Sequence, residues 1–332
     1  MSFELCATIA VILFAMGFNY TNGFHDAANA IATSVSTRAL TPRVALAMAA
    51  VGNLIGTFLG GKVAATVGKG IVRLPEGSAS LGVVIAGLIG AIAWNLTTWY
   101  FGIPSSSSHA LFGGLVGATL LSGPGVVLWG GILKSVIIPM VLSPIIGLIL
   151  GYFVMLGVLW AFRRGHPGTL NRGFRGAQSV SAFAMSIGHG MQDASKTVGI
   201  VLLGLTIGGY ESMTRHQWWV DVLTALVLAV GTYSGGWRII RTLGRKVIHL
   251  DPPQGFAAEA TASAVLYTAT AYGLPISTTH TITSAIMGVG ATKRLSAVRW
   301  GVAGNILVAW VLTFPAAGAV GAIVYLLIRP LF

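Results

Sequence analysis

Residues 22–29 read NGFHDAAN, and residues 189–196, in the second half of the chain, read HGMQDASK. Each stretch carries an aspartate inside apolar sequence, Asp26 in the first and Asp193 in the second. A polar, glycine-interrupted segment at corresponding positions of two halves points to the binding site of a secondary transporter. The two stretches therefore predict an internal duplication with a functional site between its halves.

A second pair of related stretches follows the first pair: residues 102–109 read GIPSSSSH, and residues 273–280 read GLPISTTH. A helix that restarts after the proline presents unpaired N–H groups and the positive end of its dipole, which together favour anions. The hydroxyls add neutral donors for an oxyanion. The alternative is that they only cap the helix and pack in the membrane. The candidate anion donors are Ser106, Ser107, Ser108, Thr278 and Thr279.

The composition is that of a protein surrounded mostly by lipid. Of the 332 residues, 55% are hydrophobic and 8% are charged, and the mean hydropathy is +0.81. Soluble domains carry roughly 25% charged residues. Apolar runs at 82–94, 126–162 and 302–328 approach or exceed the length that crosses the ~30 Å hydrocarbon core. The sequence predicts an all-α polytopic protein of the cytoplasmic (inner) membrane, with the lipid bilayer as its surroundings.

The basic residues form short clusters between the apolar runs. The net charge of +12 would suit a nucleic acid if it lay on one soluble face, but clusters that flank spans follow the positive-inside rule. We therefore expect no nucleic-acid partner, and we expect the clusters at 38–43, 163–175, 238–246 and 293–299 on the cytoplasmic face. The basic residues that fall on the other side in this scheme are Lys62, Lys69, Arg73 and Arg329.

The chain is expected to divide into two inverted repeats. Five apolar segments can be drawn in each half, and an odd number turns the second half upside-down relative to the first. The predicted units are a first repeat at 1–162, a cytoplasmic connector at 163–177 and a second repeat at 178–332. The first segment of each half exceeds one span, which predicts broken or re-entrant helices with the break at the aspartate motif.

Three smaller features add expectations about the spans. The run at 126–162 is too long for one straight span, and Pro139 and Pro144 are predicted to split or kink it. Residues 237–250 are basic and partly apolar, which predicts an amphipathic helix on the membrane surface. Cys6 is the only cysteine, so disulfides within the chain and cysteine-rich metal sites are excluded.

The two motif aspartates are unfavourable in a membrane without a partner. An ionised carboxylate at mid-membrane costs at least ~2.5–3.5 kcal/mol, so it normally faces a partner, a cavity or an ion. Residues three apart share a helix face, so Asp26 with Asn29, and Asp193 with Lys196, can line one cavity. Such oxygen ligands suit Na⁺ or a proton-carrying site; a helix-capping aspartate is the alternative. The candidate cation-coupling residues are Asn22, Asp26, Asn29, Asp193 and Glu259.

Glu259 and four histidines leave alternatives open. Glu259 lies at the end of a predicted span, where it either couples a cation or is a solvated helix end. The histidines either carry protons, bind substrate or only hydrogen-bond the backbone. These histidines are His25, His109, His189 and His280. Because no close ligand pattern such as H-E-x-x-H occurs, we expect no dedicated metal site, and no cofactor other than a co-transported cation.

Residues 22–33, with the later pattern H-G-x-x-D-x-x-K-x-x-G-I at 189–200, resemble the signature pair of the PiT family of inorganic phosphate transporters. The turns at 104–109 and 275–280 match the same family. The resemblance runs through nearly the whole chain. It implies inverted repeats, inorganic phosphate bound between the broken regions, cation-coupled symport and, as in many members, a homodimer.

The resemblance also implies roles for individual residues. Asp26, Asn29 and Asp193 would belong to the cation and phosphate site. The hydroxyls of Ser106, Ser107, Ser108, Thr278 and Thr279 would donate to phosphate. Gln192 and Lys196, inside the second motif, are grouped with these phosphate ligands.

Two positions depart from the family pattern. His25 and Gln192 stand immediately before the aspartates, where many members have asparagine. The Phe-His-Asp version resembles the bacterial branch that is associated with proton coupling and metal-phosphate uptake. The long hydrophilic central loop of some members is replaced by a short connector at 163–175.

These observations favour a symporter that imports inorganic phosphate with H⁺ or Na⁺ by alternating access. A permease for sulfate or another tetrahedral oxyanion has the same kind of motifs. A passive anion channel is a different class, and its pore would need no buried acids. A phosphatase with a histidine nucleophile is a further alternative, but no metal constellation or activated nucleophile pair supports an enzyme.

Overall fold

The computed structural model describes residues 2–123, 125–210 and 217–332, and these form an almost wholly helical protein. The α-helices, in chain order, are α1 (Phe3–Ser36), α2 (Pro42–Thr57), α3 (Gly61–Gly70), α4 (Ser78–Phe101), α5 (Ser107–Leu121), α6 (Trp129–Ile132), α7 (Ile138–Ala161), α8 (Pro167–Ile207), α9 (Trp218–Ser234), α10 (Trp237–Arg241), α11 (Pro252–Ala271), α12 (Thr278–Ala291) and α13 (Trp300–Ile328). Two short strands, β1 (Val72–Arg73) and β2 (Val126–Val127), pair antiparallel with Val72 opposite Val127. The predicted all-α class is confirmed.

Helices α1 and α8 carry the aspartate motifs without interruption. The expected break at each motif is wrong, because α1 is one helix of 34 residues and α8 one helix of 41 residues. Both motifs are surrounded by protein, so neighbouring helices contact most of their polar side chains and the backbone does not need to unwind. Helix α8 starts at Pro167, so the boundary predicted at residue 178 falls inside it.

The helix breaks lie outside the aspartate motifs. Helices α2 and α3 meet at a bend of 67°. Helix α9 meets the helical stretch Trp237–Lys246, which is α10 and the π-helical turn after it, at 59°. The chain also breaks between α4 and α5 and between α11 and α12, where Gly102 and Gly273 adopt φ of 66° and 67°. Glycine takes this left-handed conformation without the steric penalty of other residues. Broken helices are therefore present, and the hydroxyl turns are among the breaks.

Helices α5 and α12 are too short to cross a bilayer. They contain 15 and 14 residues, which corresponds to about 20 Å at 1.5 Å per residue, against a hydrocarbon core of about 30 Å. Their first turns are fully buried. Each helix therefore begins inside the protein, directly after its hydroxyl turn, as re-entrant segments do.

Helices α1 and α8 run antiparallel along each other. Asn19, in the middle of α1, accepts a hydrogen bond from Thr197, late in α8, at 3.2 Å. Thr37, at the end of α1, donates to Gln178, early in α8, at 2.7 Å. The equivalent helices of the two halves thus point in opposite directions, which is the relation expected for inverted repeats.

The two halves exchange packing partners. Helix α13 packs against α5 and α4, while α7 packs against α12 and α11; α2 packs against α8, and α9 against α1. Each of these contacts has its counterpart with the halves interchanged. The last helix of each half therefore covers the re-entrant helix of the other half.

The glycines of the aspartate motifs permit close crossings between helices of opposite halves. A Cβ at Gly23 would lie 2.8 Å from the backbone oxygen of Leu228 in α9, and one at Gly190 would lie 2.3 Å from that of Asn53 in α2. Real Cβ atoms do not approach backbone atoms this closely. The glycine at this motif position is therefore required for the packing of helices from opposite halves.

Several helices are long and apolar enough to span a membrane. Within the described residues, four helical stretches qualify by length and composition, and the two bent pairs qualify as further spans. The run Trp129–Ala161 is one of the four, so it is not split at Pro139 or Pro144. Its irregularity is a π-helical turn, Leu133–Ile137, just before Pro139 in the first turn of α7, where a missing N–H is tolerated.

The basic clusters gather at one end of the protein. Arg38, Arg175 and Arg245 line a single pocket of about 620 Å³. Lys293 pairs with Asp251 of the same pocket at 2.7 Å. One residue from each of the four clusters therefore lies at this end; that the whole clusters share one face, and that this face is cytoplasmic, stay predictions.

The stretch at 237–250 is amphipathic, but its apolar side packs against protein. Ile239 and Leu243 are buried while Arg241 and Arg245 are exposed. A Cβ at Gly244 would lie 2.7 Å from the carbonyl oxygen of Ala32 in α1. The expected helix lying on the membrane surface is thus corrected to a helix docked on α1.

Candidate functional site

The carboxylate of Asp26 lies between the two hydroxyl turns. Its Oδ2 accepts a hydrogen bond from Ser107 of the first turn at 3.0 Å, and its Oδ1 accepts one from Thr279 of the second turn at 3.3 Å. His25 Nδ1 lies 2.7 Å from the same Oδ1. Only 2% of Asp26 is exposed. The first acid therefore contacts hydroxyls from both halves of the chain.

Asp193 occupies the equivalent place in α8. Thr278 of the second turn donates to its Oδ2 at 3.1 Å, and His189 Nε2 lies 2.9 Å from the same oxygen. Lys196 Nζ lies 2.9 Å from Oδ1 and forms an ion pair with it. Asp193 is as buried as Asp26. The second acid thus has a fixed cationic partner one helical turn away.

The residues three positions after the acids also reach the hydroxyl turns. Asn29 Nδ2 donates to Thr278 at 3.2 Å and to Thr279 at 2.9 Å. Lys196 Nζ donates to Ser108 at 2.6 Å and to the carbonyl oxygen of Ile276 at 2.7 Å. Asn29 and Lys196 therefore each contact the turn of the other half, and the predicted site is assembled from both repeats.

The first hydroxyl of each helix acts as a cap. Ser106 accepts a hydrogen bond from the N–H of His109 at 3.2 Å, and Ser277 accepts one from the N–H of His280 at the same distance. The capping alternative thus describes Ser106. The hydroxyls that follow the caps face the acids, Asn29 and Lys196.

His25 and Gln192, the two departures from the family pattern, bind their own half's turn. His25 Nε2 lies 3.0 Å from Thr98 Oγ1, near the end of α4. Gln192 Nε2 donates to Thr270 at 2.9 Å near the end of α11, and its Oε1 accepts from the N–H of Ile276 at 3.1 Å. In this structure the amide of Gln192 holds the second turn; its role as a phosphate ligand stays a prediction.

His109 and His280 lie behind the hydroxyls, next to each other. Their ring centroids are 4.8 Å apart, and His280 stacks on Trp310 at 3.9 Å. Trp310 Nε1 donates to the carbonyl oxygen of Pro104 at 3.0 Å. The pair therefore packs the starts of α5 and α12 together. Trp310 of α13, which no sequence motif singles out, belongs to that packing.

Glu259 belongs to a separate cluster. Its carboxylate accepts hydrogen bonds from Thr33 of α1 and, at 2.5 Å and 3.4 Å, from Ser181 and Gln178 of α8. Glu259 is fully buried, so the solvated helix end is excluded. Thr33 lies two helical turns, about 10 Å, beyond Asp26 along α1, and Glu259 makes no contact with the central acids within the described chain.

The central residues include a set of possible metal ligands. One ligand atom each from Asp26, His189 and Asp193 lies within 4.8 Å of the others. The sequence excluded a dedicated metal site because no ligands were close in sequence, but α1 and α8 bring ligands together from distant positions. Buried Oδ1 atoms of Asn22 and Asn29 make no hydrogen bond to the described chain. Unsatisfied buried oxygens of this kind indicate a place for a ligand or water.

Two basic side chains, Arg238 and Lys62, hold the hydroxyl turns from outside. Arg238 of α10 donates to the carbonyl oxygen of Tyr100, and Thr242 donates to that of Gly102 at 2.8 Å. At the second turn, Lys62 of α3 donates to the carbonyl oxygen of Ala271 at 2.9 Å, and Thr66 donates to that of Gly273 at 2.8 Å. The accepting residues correspond in the two halves. Each turn offers the carbonyl oxygen of its glycine, Gly102 or Gly273, and that of the residue two positions earlier, Tyr100 or Ala271.

We name these contacts the reciprocal clamps: Lys62 and Thr66 on the second turn, Arg238 and Thr242 on the first. Cations at helix C-termini stabilise the exposed carbonyls and the helix dipole. Lys62 was one of the exceptions to the charge pattern, and its position at the end of α11 gives it a structural reason. The sequence does carry a signal for the clamps. In both α3 and the stretch that begins with α10, a basic residue is followed four positions later by threonine: Lys62 and Thr66, Arg238 and Thr242.

Comparisons with known proteins agree with this geometry. The model of the phosphate transporter family matches the chain twice, at residues 22–167 and 161–321. The chain is 49% identical to a probable low-affinity inorganic phosphate transporter of Rhizobium meliloti (strain 1021), over 97% of this chain and 95% of that protein. It is 42% identical to a protein of the same description from Bacillus subtilis (strain 168), over the full length of both.

A third relative, of the same description, comes from Mycobacterium tuberculosis (strain ATCC 25618 / H37Rv), with 45% identity over 99% of this chain and 79% of that protein. Among solved structures, a sodium-dependent phosphate transporter aligns with a TM-score of 0.87, 23% identity and coverage of 98% of this chain and 100% of that one. The structural likeness shows the fold. These relatives and the fold are those of transporters, not enzymes, and of multi-pass membrane proteins. The chain belongs to the phosphate transporter family.

Proposed function

We propose that the protein is a secondary active symporter that imports inorganic phosphate with a cation, H⁺ or Na⁺, by alternating access. The observation that supports this most directly is the position of the two carboxylates. Asp26 and Asp193 lie at the re-entrant helix starts of α5 and α12 and accept hydrogen bonds from Ser107, Thr279 and Thr278. Acids and anion donors therefore share one site.

The acids make binding of an anion alone unfavourable. Two like unit charges about 4 Å apart repel each other by about 4 kcal/mol at an effective dielectric constant of about 20. A cation bound together with phosphate removes that repulsion and reduces the loss of hydration for both ions. This requirement favours coupled transport over a passive anion channel, for which buried carboxylates next to the path have no use.

The donors for phosphate are already in place but are engaged. In this structure the hydroxyls of Ser107, Thr278 and Thr279 donate to the two carboxylates, and Lys196 donates to Ser108. The N–H groups at the starts of α5 and α12 add the positive ends of two helix dipoles. Phosphate binding then consists of an exchange in which the hydroxyls turn from carboxylate to phosphate and the cation takes over the carboxylates.

The same acids distinguish phosphate from sulfate. A carboxylate only accepts hydrogen bonds, and phosphate near neutral pH retains a proton that it can donate, whereas sulfate has none. Asp26 or Asp193 can therefore accept a hydrogen bond from phosphate and repels sulfate. This argument favours phosphate over the alternative of a sulfate permease.

The cluster of Asp26, His189 and Asp193 gives a specific reason to include metal-phosphate among the substrates. Carboxylate and imidazole ligands suit several divalent transition metals. A metal–phosphate complex would place its cation at these three residues and its oxyanion at the hydroxyls. The metal is then cargo and not a resident cofactor.

The test is uptake of radiolabelled phosphate into proteoliposomes with a pH gradient and a Na⁺ gradient imposed separately. We expect accumulation against a phosphate gradient with one of the two driving ions, competition by arsenate and little competition by sulfate. Repeating the assay with and without a divalent metal addresses metal-phosphate. Phosphate flux that ignores both gradients would instead identify a channel. The homodimer that many family members form stays a prediction.

A further inference from the structure

Asn29 and Lys196 occupy equivalent positions, each three residues after the motif aspartate, but one is a neutral amide and the other a cation. We propose that the Lys196 ammonium is a built-in cation that takes, in the second half-site, the place that an exchangeable cation takes in the first. The carrier then needs one mobile cation at its centre instead of two. This inference rests on the proposed function and specifies its ion coupling.

The surroundings of Lys196 are those of a bound cation. Its Nζ contacts a carboxylate oxygen of Asp193 at 2.9 Å, the hydroxyl of Ser108 at 2.6 Å and the carbonyl oxygen of Ile276 at 2.7 Å. Carboxylate, hydroxyl and backbone carbonyl oxygens are the ligands that hard metal cations use in proteins. Only 2% of Lys196 is exposed, and it is the one buried lysine or arginine among the described residues.

The first half-site has the same kinds of oxygen without a lysine. Asp26 accepts from neutral hydroxyls and from His25. The Oδ1 atoms of Asn22 and Asn29, one turn before and one turn after Asp26 on the same helix face, are buried and make no hydrogen bond to the described chain. An exchangeable cation, either Na⁺ between these oxygens or a proton shared by His25 and Asp26, fits here.

The asymmetry has a direct electrostatic consequence. The charge of Asp193 is neutralised in every step of a transport cycle, because its cation is part of the chain. The charge of Asp26 is neutralised only when an ion arrives from solution. Replacement of Lys196 by asparagine makes the second half-site a copy of the first in this respect, and Asp193 must then recruit its own cation for each phosphate bound.

The experiment measures binding and therefore does not depend on transport. Purified protein in detergent is titrated with radiolabelled inorganic phosphate at a series of Na⁺ concentrations at fixed pH, and separately at a series of pH values without Na⁺. The slope of −log Kd against the logarithm of the effective cation's concentration gives the number of cations bound with each phosphate. We expect a slope near one for the wild type.

We expect Lys196→Asn to raise the slope to about two, so that a tenfold dilution of the cation weakens phosphate binding about tenfold more than in the wild type. Lys196→Arg keeps the charge and should keep the wild-type slope. The double variant Asp193→Asn, Lys196→Asn removes the acid with its partner and should return the slope to one. At each pH the phosphate ionises identically for every variant, so differences between variants at the same pH report on the protein.

An unchanged slope in Lys196→Asn, or a slope of two in the wild type, overturns the inference. If Lys196→Asn does not fold, the variant Asn29→Lys provides the test. It should make phosphate binding independent of the cation concentration. Cation dependence retained in Asn29→Lys also overturns the inference. A wild type that binds no phosphate would contradict the proposed function, and this outcome is distinct from a wild type that binds phosphate while the variants keep its slope.

Discussion

The Nζ atom of Lys62 lies 2.9 Å from the carbonyl oxygen of Ala271, although the two residues belong to different halves of the chain. Arg238 makes the equivalent contact with Tyr100 in the opposite sense. Each hydroxyl turn is therefore fixed both from inside, by its motif, and from outside, by a basic residue of the other repeat.

Loss of a clamp should loosen the turn that it holds. A hydrogen bond from a charged donor contributes roughly 1.5–3 kcal/mol to stability. Because Lys62 is exposed, we expect its hydrogen bond to contribute near the lower end of this range. We expect Lys62→Met to reduce stability by about 1 kcal/mol and to slow phosphate uptake. The measurements are thermal unfolding in detergent and proteoliposome uptake. Lys69→Met, on the same helix and without a hydrogen bond in the described chain, is the matched control, and equal midpoints for the two variants would argue against the clamp.

The motif acids should be individually indispensable for transport. Asp26→Asn removes the charge that a coupling cation balances, and Asp193→Asn leaves the Lys196 ammonium buried without its counter-ion, a change that typically costs about 3–5 kcal/mol. We expect either variant to abolish phosphate uptake while remaining in the membrane. Immunoblots of membrane fractions establish the amount of protein, and radiolabelled uptake establishes activity. Wild-type uptake by either variant would contradict the assignment.

The crossing of α8 over α2 should not tolerate a methyl group. A Cβ at Gly190 would lie 2.3 Å from the backbone oxygen of Asn53, and overpacking of this kind costs about 1–3 kcal/mol. We expect Gly190→Ala to lower the thermal midpoint and the yield of folded protein. Gly176→Ala on the same helix meets no atom within 4 Å and should be neutral or stabilising, since alanine favours helix over glycine. A Gly190→Ala protein as stable as this control would contradict the predicted close contact.

Glu259 should act away from the phosphate. Its side-chain donors are Thr33, Gln178 and Ser181, and the amide of a glutamine would set its own N–H groups against at least one of them. An unsatisfied buried donor costs about 1–3 kcal/mol. We expect Glu259→Gln to lower stability and the rate of uptake while the Kd for phosphate stays within about threefold, a change below 1 kcal/mol. A Kd weakened tenfold or more would place Glu259 at the phosphate site instead.

The sequence identified the acids and the hydroxyl turns because each occurs twice. What it could not decide is which turn meets which acid. Thr279 of the second half donates to Asp26 of the first, and this contact follows from the antiparallel packing of α1 and α8, which no local pattern encodes. The three ligand atoms of Asp26, His189 and Asp193 converge for the same reason.

One prediction is wrong for a physical reason. Length beyond one span predicts a break at the motif, but α1 and α8 are buried by protein over much of their length, and a helix in that environment does not have to end at the membrane boundary. The place of Gln192 in the motif groups it with the phosphate ligands, which stays a prediction; the sequence does not show that its amide hydrogen-bonds α11 and the adjacent turn. Tertiary neighbours, which a single sequence does not show, decide both cases.

The exchange of covering helices, α13 on α5 and α7 on α12, has a consequence for how such a chain can have arisen. A half-length ancestor with one copy of the unit could bury its re-entrant helix only against a second copy inserted in the opposite orientation. It would therefore have been an antiparallel homodimer whose subunits entered the membrane both ways. Joining the two copies in one chain would fix their orientations and allow Asn29 and Lys196 to differ, which identical subunits could not do.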